Sequence, residues 1–594
     1  MTGKYTFKTL HGQIKAQTGD FWRTSIYGIA ATFLLLPVPM LMPLLIDEVL
    51  LEHSGKTTEF ISSIFDNSEV WLYISVILVV VLALRSLAFF FNNKKTFYAT
   101  KITQKISYLL RHRILHHLER VSLSEYESLK SGSIASKSVQ DVESVSGFAG
   151  QIVTTLLSAS LMLLGIAVIM LWMNWVLALF VFLLNPFFLA FSRLLGRKTG
   201  ELLRRQYKAY EMYHELLNET LELFIQVRVS NQERSFFGIL QGRAKEIESA
   251  SIDYGYKASV AQTSSTLLTN TVVDIFRALG IAAVAYSDLT IGMMIAFLFY
   301  LSTLVSPMQQ LMGLVISYQS IKPALERINT LLTLSHEPHY PHLSNPFESS
   351  KTTSVELKEI CFAYGNGKEV LHNINLKAKE GEKIALIGPS GSGKTTIAQI
   401  MVGFYPSHAG EILYGGTPIE QIGLPVVREN VALMLQEALF FNDTIRMNLT
   451  LSKDKSDTEI YEALKAAQLE EFVSKLENGL ETHIGKNGIR LSGGQRQRLA
   501  IARLILSDPK IVIFDEATSA LDNETEYYLY ETLESFLKDR TTIIIAHRTT
   551  TIKQADHIYL IDDGYVKAEG SYEELSEKGY IIECVDAAKN TTIY

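Results

Sequence analysis

The chain has 594 residues, 47% hydrophobic and 20% charged, with a mean hydropathy of +0.15. A soluble protein seldom combines that average with apolar stretches as long as those described next, and a formal net charge of -7 offers no global basic surface, which argues against nucleic acid as a partner. The 2 cysteines, Cys361 and Cys584, are too few for a disulfide framework.

Taken from the N-terminus, the first stretch lacks a compact apolar core ending at a small-residue cleavage site, so no secretory signal is expected. His11 to Trp22 reads instead as a short amphipathic helix on the inner membrane surface. Six apolar stretches follow, each near the roughly 20 residues needed to cross about 30 Å of hydrocarbon. They run Phe21 to Ile46, Val70 to Phe91, Ser146 to Trp172, Trp175 to Leu195, Val260 to Ala285 and Ile291 to Tyr318. The third and fourth are separated only by Met173 and Asn174, which predicts a tight hairpin.

The loops set the orientation. Asn92 to Val145 is rich in lysine and arginine, as is Ser192 to Ser259, whereas Asp47 to Glu69 is acidic and Tyr286 to Thr290 carries no cation. The positive-inside bias places both termini and both long basic loops in the cytoplasm. Ile106, Leu109, Leu110 and Ile114 keep a helical period inside the first basic loop, so the membrane helices are expected to continue well beyond the bilayer. Ile321 to Leu334 reads as a further helix, and the proline- and serine-rich run after it as a linker. The expected division is a membrane domain over 1–335, a linker over 336–352 and a second domain over 353–594. In that second domain strands such as Val355 to Tyr364 and Lys383 to Ile387 alternate with helical segments, the pattern of an α/β fold.

The α/β half carries the chemistry. Gly388 to Thr396, GPSGSGKTT, follows an apolar strand and fits the phosphate-binding loop G-x-x-x-x-G-K-[ST]. In such a loop, which here also contains Gly388, Ser390 and Ser392, Gly391 and Gly393 let backbone N–H groups curl around phosphate oxygens, and the following helix turns its positive end to them. Lys394 then reaches the outer phosphates, Thr395 offers a hydroxyl to Mg²⁺, and Thr396 closes the motif. Ile511 to Asp522 is four apolar residues followed by two acids, which puts Asp515 at a strand end to hold hydrated Mg²⁺ and Glu516 where it polarises water. Leu491 to Gln495, LSGGQ, opens a second helix whose dipole is also directed at phosphate. Gln436 follows the apolar run Val431 to Leu435, and His547 ends the strand from Thr541.

In this order and at this spacing the motifs resemble those of the ATP-binding cassette transporters of the exporter type, over nearly the whole chain. Tyr126 to Val145 and Glu219 to Glu233 look like the family's first and second cytoplasmic coupling regions, and Leu289 to Leu311 is similar to its sixth-helix pattern. The fold this implies is an α-helical six-span membrane domain followed by an α/β P-loop ATP-binding cassette domain, a half-transporter. The resemblance gives Tyr364 the role of stacking on adenine. Gln436 contacts Mg²⁺ and the attacking water, Glu516 is the catalytic base, and His547 supports the γ-phosphate and aligns the water. Asp522 communicates between sites, and Ser492, Gly493, Gly494 and Gln495 close over ATP held by another subunit. One departure stands out: Lys486 occupies a position that is commonly glutamate in exporters.

Each chain holds one phosphate loop and one signature helix, and these face the same ATP only if two domains meet, so a second copy of the chain is the expected partner. With Lys394, Ser492, Glu516 and His547 all intact, a homodimer with two equal sites is the simpler assembly. ATP and Mg²⁺ are the implied cofactors. The cargo is expected to be hydrophobic or amphipathic, a lipid, lipid-linked glycan, drug or peptide, moved outward across a cell membrane by alternating access. The alternative is an ATP-gated channel or regulator of the same fold.

Overall fold

The computed structural model describes residues 4–51, 59, 63, 70–128, 134, 137–286, 289–348, 351–365, 367–435, 438–515, 533–546 and 549–580. The chain forms two compact units, the first made of Met1–Leu115 and Ala135–Thr333, the second of His116–Ile134 and Leu334–Tyr594.

Long helices build the first unit. Val70–Leu118 has 49 residues, and at 1.5 Å per residue it is about 73 Å long, over twice the thickness of a hydrocarbon core. Helices Trp175–Glu222, Glu233–Tyr286 and Ile291–Leu332 likewise run far past any membrane-spanning length, as the periodic basic loops predict. Five helical stretches among the described residues are long and apolar enough to cross a membrane. The remaining expected span, Trp175 to Leu195, lies on helix Trp175–Glu222, where the side chains of 183–198 fall outside the described residues. Asn174 makes the hairpin before that helix: its backbone is extended, with φ -160°, and its side chain accepts the N–H of Leu177 at 3.0 Å.

Two expectations need correcting. The N-terminal helix is Phe7–Ala16, broken at Gln17 before a separate helix over Thr18–Leu35, so His11 to Trp22 is not one element. It starts early because Thr6 and Thr9 form a capping box, and it buries Leu10 and Ile14. Ile321 to Leu334 is not a separate helix either; Ile291–Leu332 is continuous through Pro307 and Pro323. Proline removes one helical N–H; at Pro307, inside the expected span, an apolar environment penalises every further freed carbonyl of an irregular chain, which favours helix on both sides of it. Around Pro323 the buried Ile321, Ala324, Leu325 and Ile328 hold the helix by packing.

The same accounting explains the break in the first span. Pro37 and Pro39 interrupt it between Leu35 and Val38, and the N–H of Met40 turns to Pro37 O at 3.0 Å in place of Leu36 O. Leu36 O is then met by the buried Tyr300 hydroxyl at 2.7 Å. Beyond it, buried Asp47 accepts from the Gly292 N–H at 2.8 Å and from the Thr290 hydroxyl at 2.5 Å, satisfying the N-terminal end of helix Ile291–Leu332.

The second unit contains ten strands among its described residues. Strands β1 (Val355–Ala363), β2 (Glu369–Ala378), β4 (Ala409–Tyr414) and β5 (Thr417–Pro418) form an antiparallel sheet in the order β2-β1-β4-β5. The other sheet has the order β10-β9-β3-β8-β7-β6, from β3 (Lys383–Ile387), β6 (Val431–Met434), β7 (Ile511–Asp515), β8 (Thr541–Ile545), β9 (His557–Asp562) and β10 (Tyr565–Gly570). It is parallel except for β10.

Strand β7 reads as an unbroken apolar run because both of its faces are covered. Ile511 and Ile513 pack with Ile397, Ala398 and Met401 of helix Lys394–Met401. Val512 and Phe514 pack with Leu499, Ile501 and Ala502 of helix Gly493–Ser507. The two helices that open with glycine-rich motifs are therefore seated on opposite faces of one strand. The segment read as a linker is anchored to this unit: Phe347 is buried against Tyr414, and His342 bonds Ile422 O through Nδ1 at 2.9 Å.

Candidate nucleotide site

The candidate site lies at the carboxyl ends of β3, β8 and β7, the usual ligand position of an open parallel sheet. A cavity of about 390 Å³ opens there, lined by Tyr364, Val370, Ser390, Lys394, Thr395 and Asp515 among others. The loop from Gly388 to Gly393 joins β3 to helix Lys394–Met401. Its first glycine is required by packing: φ is +145°, and a Cβ would stand 1.9 Å from Ile561 O in the neighbouring strand. Gly391 is required by backbone alone, since its φ is +80° and nothing lies within 4 Å of a Cβ there.

Lys394 is 5% exposed, and its ammonium donates to Gly388 O at 2.9 Å, Pro389 O at 2.8 Å and Ser392 Oγ at 3.4 Å. A buried ammonium needs such acceptors, and the loop's own carbonyls supply them inside the cradle. Thr395 Oγ1 donates to Asp515 Oδ2 at 2.9 Å, which brings together a hydroxyl from the loop and a carboxylate from the end of β7. These are the hard oxygen donors that magnesium prefers, so the residues present fit that ion.

Tyr364 is half-exposed at the cavity wall. Its hydroxyl bonds Thr396 Oγ1 at 2.9 Å and donates to Gln399 Oε1 at 3.4 Å, while its ring stands nearly perpendicular to those of Phe362 and Tyr405, with centroids 4.9 and 5.3 Å away. The motif thus holds its aromatic residue through a side chain, Thr396, that the pattern itself contains.

Helix Gly493–Ser507 begins differently. Ser492 Oγ accepts the N–H of Gln495 at 3.2 Å, and Gln495 Oε1 accepts the N–H of Ser492 at 2.8 Å, a complete capping box. The S-x-x-Q spacing was there to be read in the sequence and marks this helix start on purely local grounds. Lys486 sits in a short 3-10 turn, Lys486–Gly488, in which Asn487 has φ +53°.

Gln436, Glu516, Asp522 and His547 lie outside the described residues. Of the residues expected to share the site, the structure brings together Tyr364, the loop from Gly388 to Thr396, and Asp515. Val370 and Ile545 complete the lining. Sequence reasoning missed them, and their only sequence signal is their place in strands that flank the loop. Elsewhere, in the first unit, Arg277 donates to Asp274 at 2.9 Å, one helical turn apart, with both side chains more than half exposed.

Comparison with known proteins agrees with this geometry. Residues 371–519 match the family described as ABC transporter, and residues 29–308 match the ABC transporter transmembrane region. The ATP-dependent lipid A-core flippase of Francisella tularensis subsp. holarctica (strain OSU18) is 30% identical over 599 aligned residues, covering 98% of this chain and 95% of that protein. The protein of the same name from Legionella pneumophila subsp. pneumophila is 31% identical over 512 residues, 84% of either chain. In fold, the chain is similar to a bacterial Atm1-family ABC exporter with ATP bound, with a TM-score of 0.79 at 23% identity over 98% of each chain.

Proposed function

We propose that this chain, which belongs to the ABC transporter family as an exporter-type half-transporter with a multi-pass membrane region and a cytoplasmic nucleotide-binding domain, flips a lipid-like amphipathic molecule out of the inner leaflet as a homodimer. The observation that carries the ATP-driven part is the cradle itself: a buried ammonium ringed by loop carbonyls, next to a hydroxyl and carboxylate already in contact. The lipid-like cargo rests on two supports. Relatives aligned over nearly the full length are named lipid A-core flippases. The membrane unit also turns Leu164, Val168 and Trp172 outward, at 65%, 65% and 70% exposure, as a surface made for hydrocarbon does.

In this reading the N–H groups around Gly391 and Gly393 and the Lys394 ammonium bind the β- and γ-phosphates, and a phosphate oxygen competes with the carbonyls of Gly388 and Pro389 for Nζ. Tyr364 stacks on adenine. Mg²⁺ would be held by Thr395, Asp515 and Gln436 and would supply neutralising charge at the phosphates. Ser492, Gly493, Gly494 and Gln495 of one copy close over the ATP held by the other, with Asp522 between the sites. Glu516 takes a proton from the attacking water, which His547 aligns against the γ-phosphate. Binding draws the nucleotide domains together, and loss of the γ-phosphate removes the shared anion, so the cycle alternates between two populations.

The test is reconstitution in liposomes carrying a labelled phospholipid, a glycolipid with a phosphorylated headgroup, or a hydrophobic cationic drug. Lipid translocation that depends on ATP is expected. Glu516→Gln should reduce turnover by about 10²–10⁴-fold while retaining ATP. Movement of the drug alone would replace lipid by drug as the cargo. Ion current that persists in Glu516→Gln would favour a gated channel.

A further inference from the structure

Tyr405 is not part of any motif and does not line the nucleotide cavity, yet it is among the most constrained side chains beside it. It follows the phosphate-loop helix in the turn Gly403 to Pro406 and is 3% exposed. Its ring lies 5.5 Å from that of Phe362 and 5.3 Å from that of Tyr364. Its hydroxyl donates to Glu127 Oε2 at 2.5 Å, across 278 residues of sequence. Glu127 belongs to the helix Leu123–Ser128, in the basic loop, and this segment is compact with the nucleotide unit.

A second set of bonds converges on the same turn. Ser122 N–H donates to Ser335 O at 3.0 Å and Glu337 N–H to Arg120 O at 2.8 Å. Glu337 in turn pairs with Arg428, which donates to Gly403 O at 2.8 Å, two residues before Tyr405. From Glu127 a continuous path therefore runs through the Tyr405 ring to Tyr364, whose hydroxyl meets Thr396 in the cavity wall.

A phenol buried among aromatic rings needs an acceptor, and a carboxylate is a strong one. Burial first, and then the Glu127 carboxylate and the neighbouring Tyr364, push the Tyr405 hydroxyl well above the usual phenol range, so it remains a donor at neutral pH. If Glu127 is withdrawn, the hydroxyl must find another partner by moving the ring, and Tyr364 loses one of its two flanks.

We propose that Tyr405 is a positioning residue for the base of ATP: Glu127 holds its hydroxyl, its ring sets Tyr364, and base affinity thereby registers whether the 123–128 segment is seated. The inference rests on the reading that this cavity binds ATP with Tyr364 at the adenine. It separates two contributions to binding, since the path meets the phosphate-loop motif only at its last residue, Thr396, and not at Lys394 or the glycines.

The experiment measures basal ATPase of the full-length protein in nanodiscs, with inorganic tripolyphosphate as a base-free competitor. Tyr405→Phe and Glu127→Ala should each raise KM for ATP roughly three- to tenfold, the range of one hydrogen bond, with kcat nearly unchanged. The inhibition constant of tripolyphosphate should not move, because that probe has no base. Glu127→Gln, which keeps an acceptor oxygen, should stay near wild type, and the double variant should be no worse than either single one. An unchanged KM, or an equal loss for ATP and tripolyphosphate, overturns the proposal. Phenylalanine keeps the buried ring, and Glu127 is exposed, so neither change removes core volume. Lys394→Ala serves as the control: if it leaves ATP binding intact, the reading of the cavity has failed, whereas its failure to bind alongside an unaffected Tyr405→Phe rejects the positioning role alone.

Discussion

Helices Lys394–Met401 and Gly493–Ser507 both begin at glycine-rich turns on opposite faces of β7, and their N-terminal ends are finished in opposite ways. The first has Gly393 as its N-cap, at φ +102° with no side-chain cap, which suits that end to an anion. The second is closed by its own Ser492 and Gln495. A hydroxyl carries one donor and two acceptor sites, so Ser492 accepts from Gln495 and still has a proton to give. In the proposed reading one end holds ATP within the chain, and the other, capped by itself, has a donor to offer to ATP held by a second copy.

Breaking the first end should have the larger effect. Lys394→Ala removes the ammonium and is expected to lower turnover by about 10²–10³-fold, the scale of a lost charge-stabilising donor. ATPase assays at saturating ATP, with circular dichroism to show intact folding, measure it; a loss below tenfold would remove Lys394 from the phosphate site.

The next effect sharpens the division of labour. Neither Lys394→Ala nor Ser492→Arg protomers should turn over ATP alone, but an enforced mixed dimer regains one complete site and up to roughly half of wild-type turnover. If tandem-linked mixed dimers stay as inactive as their parents, the two helix ends do not serve a common ATP.

The smallest effect separates cap from donor at the second end. Ser492→Ala should cost about 1 kcal/mol and lower the melting temperature of the nucleotide unit by about 2–4 °C. Ser492→Asn keeps a capping acceptor without the hydroxyl, so its melting temperature should return to that of wild type while turnover stays depressed. Scanning calorimetry alongside ATPase rates checks both; parallel recovery of the two by asparagine would leave the serine with a purely structural role.

Local rules made much of this visible in the sequence. Hydropathy finds helices in lipid because each must satisfy its own backbone. The phosphate loop is legible because strand, glycines and lysine are contiguous. What escaped was set by contacts far apart in the chain. Nothing local marks Glu127 and Tyr405 as partners, and nothing local shows that the helix read from Ile321 continues the sixth span without a break. The Ser492 and Gln495 cap was local and was hidden by the stronger signal of the motif that contains it. For Gln436, Glu516, Asp522 and His547, assignment rests on the resemblance of their motifs.

Asp47 and Gly292 give the membrane unit a point where its sequence has little room to drift. A Cβ at position 292 would come within 2.4 Å of both Asp47 Oδ2 and Pro43 O, while the Asp47 carboxylate depends on the Gly292 N–H that such a Cβ would push away. Any larger residue at 292 therefore removes the space and the bond together, and no single replacement of Asp47 restores both. Variation there must come in pairs, so a library randomising 43, 47 and 292 together should return far more functional chains than the three positions randomised one at a time.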